Sequence, residues 1–257
     1  MRSVDELFAS VIRADDEDAR WAAVTQLHEL STRDVFERAA QFCASEKPEE
    51  RVAGADVLAQ LGHGDERPYV AESLPILLGL LEDPDQRVQT SAIQALGHQR
   101  DPRIVRPVSR FANHDADDVR WAVACALGGI EDDEALKILI ELSSDQSDEV
   151  RDWATFGLGS MTERDTPAIR RALLARLEDT SANVVAEAEL GLAKRHDLRV
   201  IPHLARAVEE DKEKLAGEAA DEITSPEMLN ALLHARDTIG DRPGLRKLIA
   251  RCQEKVD

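Results

Sequence analysis

The sequence predicts an all-α protein: a right-handed α-α superhelix of about seven antiparallel helix pairs, closed by a C-terminal capping helix. Three observations carry this. The segment DDVRWAVACALGG at 117–129 returns as DEVRDWATFGLGS at 148–160, which sets Val119 and Val150 31 residues apart. That period is too long for a coiled coil and suits a two-helix structural unit. Apolar residues inside each copy keep a helical spacing, and a second apolar segment separates one copy from the next. The composition agrees, since 43% of residues are hydrophobic but only 4% aromatic, so the core must be built from Leu, Ala, Val and Ile.

With Val at position 0, the template has Arg at +1, small residues at +3 and +4, Leu at +8 and Gly at +9. It is read at Ala19 with Leu27, Ala53 with Leu61 and Gly62, Val88 with Leu96 and Gly97, Val119 with Leu127 and Gly128, Val150 with Leu158 and Gly159, and Val184 with Leu192. A worn copy lies at Leu215 with Ile223. At about 100° per residue, positions 0, +3, +4, +7 and +8 share one side of a helix, so each copy is one amphipathic helix, termed B. The Gly at +9 is expected to be a left-handed stop. Between B helices lie the A segments: VDELFASVI, DVFERAAQF, SLPILLGLL, RIVRPVSRF, EALKILIEL, PAIRRALLARL, RVIPHLARAV and PEMLNALLHA. Pro75, Pro107 and Pro202 recur within them and predict a recurring bend. One helix pair cannot bury its apolar faces alone, so stacked pairs share a continuous core and no domain boundary is needed across 1–257. The expected units are 3–30, 33–62, 69–97, 103–128, 134–160, 167–195 and 199–224, with the cap at 226–257.

The V-R-x-x-A-x-x-x-L-G core, the acidic turn before it and the proline of the first helix resemble HEAT repeats, in particular the short subtype found in phycobilisome-lyase-like proteins. The resemblance covers roughly residues 3–237 and is tightest in repeats four and five. In repeat two Gly54 stands where Arg is expected, and in repeat seven Ala216 does. The runs VRDWATFGLG and GLAKRHDLRVIPHL are also similar to stand-alone bacterial HEAT proteins, some of them suspected immunity partners of Rhs-type secreted toxins.

With 51 Asp and Glu against 32 Lys and Arg, the net charge is −19. Such a surface repels phosphate backbones, which excludes nucleic acid as the expected partner and favours a basic protein. The N-terminus has no apolar leader pattern and the chain no 18-residue apolar run, so membrane association is not expected and a cytoplasmic, monomeric protein is. Cys43, Cys125 and Cys252 are odd in number and far apart, as expected of reduced thiols with neither a disulfide framework nor a zinc site.

On a B helix, +2, +5, +6 and +9 should point away from the core. The resemblance implies that this side is the inner, concave wall. Its candidate partner-binding residues are Trp21, Thr90, Gln94, Trp121, Asp152, Phe156 and Glu189, with Thr155 also at +5. Trp21 and Trp121 have two readings, packing on the neighbouring repeat or serving as binding anchors; Trp153 at +3 is expected in the core. Arg20, Arg120 and Arg151 share +1, and the resemblance implies a ladder to acidic residues of the turns, with Asp117 and Asp148 as first candidates and Asp83, Asp145 and Asp179 after them. Acids gather in the turns at 15–18, 46–50, 82–85, 115–118, 145–149 and 209–213. They cap helix N-termini, and stacking would align them into an acidic edge on which Asp85, Asp118 and Glu149 lie nearest the solvent.

His28, His63 and His98 recur every 35 residues near B-helix ends. Ligands on repeats about 10 Å apart converge poorly on a metal, so no metal, cofactor or catalytic residue is expected. Asp152 beside Trp153 is faintly similar to HEAT-like alkylpurine DNA glycosylases, and the subtype name suggests a chromophore lyase; the acidic balance opposes the first and no catalytic residue supports the second. The expected function is a non-enzymatic protein-interaction scaffold, with an immunity protein for a basic Rhs-type toxin as the alternative.

Overall fold

The structure is a computed structural model that describes residues 2–14, 16–61, 69–209, 218–220, 222–240 and 242–256. Asp15, Gly62, His63, Leu215 and Ala216, and most of the acidic turn at 209–213, lie outside the described residues. Among the described residues every regular element is a helix, and the chain groups into two compact units, Met1–Glu134 and Ala135–Asp257.

The first unit alternates A and B helices as the periodicity predicts: α1 (Val4–Arg13), α2 (Glu17–Leu30), α3 (Arg33–Cys43), α4 (Pro48–Gln60), α5 (Val70–Leu80), α6 (Gln86–Gln99), α7 (Val105–Ser109) and α8 (Asp117–Leu127). Each A helix packs on its own B helix, and the B helices lie side by side in the order α2, α4, α6, α8. The starts are set locally. Ser3 and Glu6 form a reciprocal capping box on α1, Asp16 accepts from the Ala19 amide, and Thr32 from that of Val35. The interior is aliphatic, with Leu27, Leu58, Leu96 and Leu127 all sealed from solvent.

The second unit continues with α9 (Asp133–Leu142), whose residues from Ala135 belong to it, then α10 (Asp148–Gly159), α11 (Pro167–Arg176), α12 (Ala182–Lys194) and α13 (Ile201–Glu209). A last pair follows, α14 (Pro226–Ile239) and α15 (Pro243–Val256). Here α10 packs on α12, α11 on both, and α13 on α14.

Three local expectations change. Among the described residues the +9 glycines are not left-handed stops. Gly97 lies inside α6, Gly128 caps α8 with φ −58° and Gly159 ends α10, and the described glycines with positive φ are Gly129 and Gly240. The left-handed caps of α2 and α6 are Ser31 (φ 42°) and Arg100 (φ 51°). What the +9 glycine provides is close approach between B helices: a Cβ on Gly97 would stand 2.6 Å from Ala126 Cα, and one on Gly191 2.5 Å from Gly159 Cα. Prolines also divide. Pro75 sits within α5, whereas Pro107 and Pro202 fall in the first turn of an α-helix that follows a 3₁₀ turn, at 102–104 and 198–200. There the missing N–H costs little, because first-turn amides have no intrahelical acceptor. Lastly, repeat two does carry the expected arginine. It is Arg51, and Gly54 is instead the point where α4 presses on α3, a Cβ there lying 2.7 Å from Ala39 O.

Candidate protein-interaction surface

The turns before α4, α6, α8, α10 and α12 follow one rule. The residue six positions ahead of +1 accepts a hydrogen bond from the amide two residues on. Asp83 accepts from Asp85 N (2.9 Å), Asp145 from Ser147 N (2.8 Å), Asp179 from Ser181 N (3.0 Å), Ser45 from Lys47 N (3.2 Å) and His114, through Nδ1, from Ala116 N (3.1 Å). The +1 side chain folds back onto the carbonyls of the same turn. Arg51 donates to Ser45 O and Glu46 O, Arg120 to His114 O and Asp115 O, Arg151 to Asp145 O and Gln146 O, and Gln89 to Asp83 O.

Arg51 and Arg151 also fork onto an aspartate of the next turn. Arg51 reaches both oxygens of Asp83 (2.6 and 2.8 Å) and Arg151 both of Asp179 (2.9 and 2.8 Å). Each pair leaves its arginine side chain 12% exposed and its aspartate 6%, so these rungs are largely buried rather than surface pairs. Although burial opposes ionisation of Asp179, hydrogen bonds from Arg151 and the Ser181 amide outweigh it and lower its pKa. The ladder therefore runs through different aspartates from those expected first. Asp117 and Asp148 are exposed in the opening turns of α8 and α10, and Arg151 goes to Asp179.

Arg20 departs from the rule. Its guanidinium pairs with Asp56, in the middle of α4, and the buried Asp56 also accepts from Ser91 Oγ at 2.5 Å. Burial raises the pKa of Asp56, against the lowering effect of Arg20 and Ser91.

On the B face of the first unit, Trp21, Thr90 and Gln94 do come together. With Asp16, Glu17, Arg20, Asp56, Arg87, Ser91 and Asp118 they line an open groove of about 490 Å³. Trp21 is 37% exposed and its indole N–H donates to Glu17 Oε1 at 3.3 Å. Thr90 Oγ1 donates to Gln86 O, and Gln86 Nε2 to Asp118 Oδ1 at 3.1 Å. Trp121 is half-buried on α8.

In the second unit Asp152 and Phe156 are half-buried on α10. Burial, then the neighbouring Asp148, raises the pKa of Asp152; burial and then Asp152 raise that of Glu187 on α12. Two expectations are overturned in this unit. Trp153 is 38% exposed rather than in the core; at +3 it lies on the flank of the apolar arc, and its ring meets Phe156 edge-on at 5.7 Å. Glu189 is only 4% exposed and Thr155 is fully sealed. Position +5 falls near 140° on the helical wheel, off the centre of the apolar arc, yet both side chains are buried. Glu189 instead lines a second cavity, of about 260 Å³, with Glu178, Ala186, His203 and Arg206.

The acidic edge is also uneven. Asp118 and Glu149 are exposed, but so are Asp117 and Asp148, while Asp85 is half-buried as the N-cap of α6. Arg87 forks onto both Asp85 oxygens (3.0 and 2.7 Å), and hydrogen bonds from its side chain and amide hold the Asp85 carboxyl at about 2. Burial pushes the Cys43 and Cys125 thiols up to about 12, far from the thiolate form that nucleophilic or metal chemistry requires. No group of three or more His, Cys, Asp or Glu among the described residues could hold a metal ion, and no described helix is long and apolar enough to cross a membrane.

A family model of HEAT repeats matches residues 73–159 and 139–224, together more than half of the chain. The chain is a HEAT-repeat protein. Protein YibA of Escherichia coli is 28% identical to it over 247 residues, 91% of this chain and 86% of YibA. The X-ray structure of YibA has a TM-score of 0.75 at 25% identity, covering 98% of this HEAT-repeat chain and 93% of that one. Likeness in fold alone extends to the CpcE–CpcF complex of phycocyanin lyase from Nostoc, with a TM-score of 0.52 at 17% identity over 93% of this chain and 95% of that one. It extends also to a designed armadillo repeat protein, at 0.51 and 14% over 74% and 98%.

Proposed function

We infer that this HEAT-repeat protein is a non-enzymatic scaffold that binds a protein partner with a basic surface on its B-helix face. The observation that carries this reading is the groove of the first unit. An exposed tryptophan, the residue type most enriched in binding hot spots, stands there among carboxylates in a chain of net charge −19. Complementary charge would speed encounter and reject acidic competitors. The finer reading, an immunity protein that caps a basic Rhs-type toxin, draws on the same charge and is tested by the neighbouring reading frame: a toxin frame whose lethality this chain relieves on co-expression would support it, and an unrelated frame would sink it.

Cross-linking in native lysate, followed by association kinetics with the recovered partner, tests the scaffold reading. Cross-links should fall on α2, α4, α6, α8, α10 and α12, and the on-rate should drop steeply as salt shortens the Debye length to below about 8 Å. Cross-links confined to the A helices, or an on-rate indifferent to salt, would sink it.

A further inference from the structure

We propose that the groove of the first unit receives an arginine side chain of the basic partner, stacked on the Trp21 indole between the carboxylates of Glu17 and Asp118. The proposal rests on the scaffold reading and names the chemistry of its central contact.

Charge accounting within the groove points to a cation. Its two arginines are already neutralised: Arg20 pairs with Asp56 on the floor, and Arg87 is forked onto Asp85. Asp16, Glu17 and Asp118 differ, because all three are exposed and are held by neutral donors: the Ala19 amide at 2.7 Å for Asp16, the Trp21 indole N–H for Glu17, and the Gln86 side-chain amide with the Val119 amide for Asp118. These carboxylates keep their charge and line the same open space as the exposed indole, Glu17 at its edge. Phosphate groups, whether of nucleic acid or of lipid, would be repelled.

The shape selects among cations. Because the indole N–H donates to Glu17, that carboxylate lies at the edge of the ring. A planar guanidinium lying on the ring can point its donor fork toward such a carboxylate, whereas an ammonium can stack or pair but offers no plane. A protein segment presenting arginine therefore fits better than one presenting lysine.

The test uses the whole chain with nona-arginine, nona-lysine and nona-citrulline peptides, following the Trp21 indole N–H by NMR and affinity by calorimetry. Nona-arginine should shift the Trp21 signal, nona-lysine should bind several-fold more weakly, and nona-citrulline should not bind. Trp21→Ala should weaken nona-arginine by about tenfold, Trp21→Phe by less, and the Glu17→Gln, Asp118→Asn double variant by a similar factor, with helical content unchanged. If nona-arginine binds but is indifferent to all three variants, the groove is wrong and the basic-partner reading stands. If no cationic peptide binds at all, both fall.

Discussion

Arg51 and Arg20 leave the same position on successive B helices and finish in different places. Arg51 spans to the next turn and forks onto Asp83, as Arg151 does onto Asp179 in the second unit. Arg20 instead crosses the helix face to Asp56. The cause lies in the receiving turn. Ser45 occupies the place that Asp83 and Asp179 hold elsewhere, and it caps the turn equally well, accepting from Lys47 N as they do from Asp85 N and Ser181 N. A hydroxyl can cap, but it has no charge to hold a guanidinium. Arg20 therefore takes the carboxylate of Asp56 on the B face, and that face is where the groove opens. Capping and pairing are separable duties of one position, and where Ser45 forgoes the second, Arg20 turns onto the face of the groove.

The largest effect expected from breaking this contrast comes from a regular rung. Asp179→Ala removes the carboxylate from Arg151, which stays almost fully buried, and leaves the Ser181 amide without its acceptor. Orphaning a buried charge costs about 3–5 kcal/mol, read as a lower midpoint in urea, and Asp83→Ala should match it in the first unit. Arg20→Ala should cost less, no more than about 2 kcal/mol. The Arg20 side chain is 30% exposed, and without it Asp56 keeps the Ser91 hydroxyl. Equal losses for Asp179→Ala and Arg20→Ala would erase the distinction.

Next in size is the close approach of the B helices. Gly191→Ala would place a Cβ 2.5 Å from Gly159 Cα and 3.1 Å from Leu173 Cδ1. Backbone cannot swing aside as a side chain can, so overpacking of about 1–3 kcal/mol should defeat the roughly 1 kcal/mol that alanine gains in helix propensity. Gly79→Ala is the control, since nothing lies within 4 Å of a Cβ there, and it should stabilise by about 0.5–1 kcal/mol. Calorimetric melting of both variants decides the matter; a stabilised Gly191→Ala would mean that the helices are not held at that distance.

These two comparisons also show what was legible in the chain itself. The all-helical repeat and the alternation of A and B helices were, because periodicity reports which face is apolar. The role of Gly97 and Gly159 was not, since a glycine at a helix end serves a left-handed stop or a close neighbour equally well, and only the neighbour decides. Arg51 was missed because repeat two was aligned on Ala53, which placed Gly54 at the arginine position; the signal that could have found it is its distance of six residues from Ser45. The same spacing picks out Asp83, Asp145 and Asp179 over the more conspicuous Asp117 and Asp148. In the candidate site, Trp21, Thr90 and Gln94 were assigned to one face and line one groove, whereas Asp118, assigned to the acidic edge, lines that groove as well. Glu189 was not, because a helical wheel drawn for an isolated helix carries no information about what packs against it in the fold, where the side chain is 4% exposed.

A smaller effect would sharpen the account of Arg20. Asp56→Ala removes its partner, and a loss of about 1–2 kcal/mol is expected. Adding Ser45→Asp supplies the missing turn carboxylate, so the double variant should recover most of that loss and let Arg20 form the rung seen at Arg51. Denaturation of the two single variants and the double variant forms a mutant cycle. Strict additivity would show that the serine is not the reason for the departure.

The smallest expected effect is a pH dependence in the second unit, at an aspartate that caps and pairs without joining a rung. Asp197 accepts from the Arg199 amide and side chain and from Arg170, and these hydrogen bonds, Arg199 first, hold its carboxyl at about 2. An unfolded aspartate titrates near 3.9. Because the folded pKa is the lower one, ionised Asp197 contributes stability that is fully present above about pH 4 and is lost as pH falls toward 2. The Arg199 side chain is 61% exposed, so solvent screening should keep the pair's contribution below about 1 kcal/mol. Asp197→Asn should therefore lie slightly below the parent chain in stability at pH 7, with the two curves closing as pH drops from 4 to 2. Curves that coincided across the whole interval would assign the role of Asp197 to capping, which Asn can perform, and none to its charge.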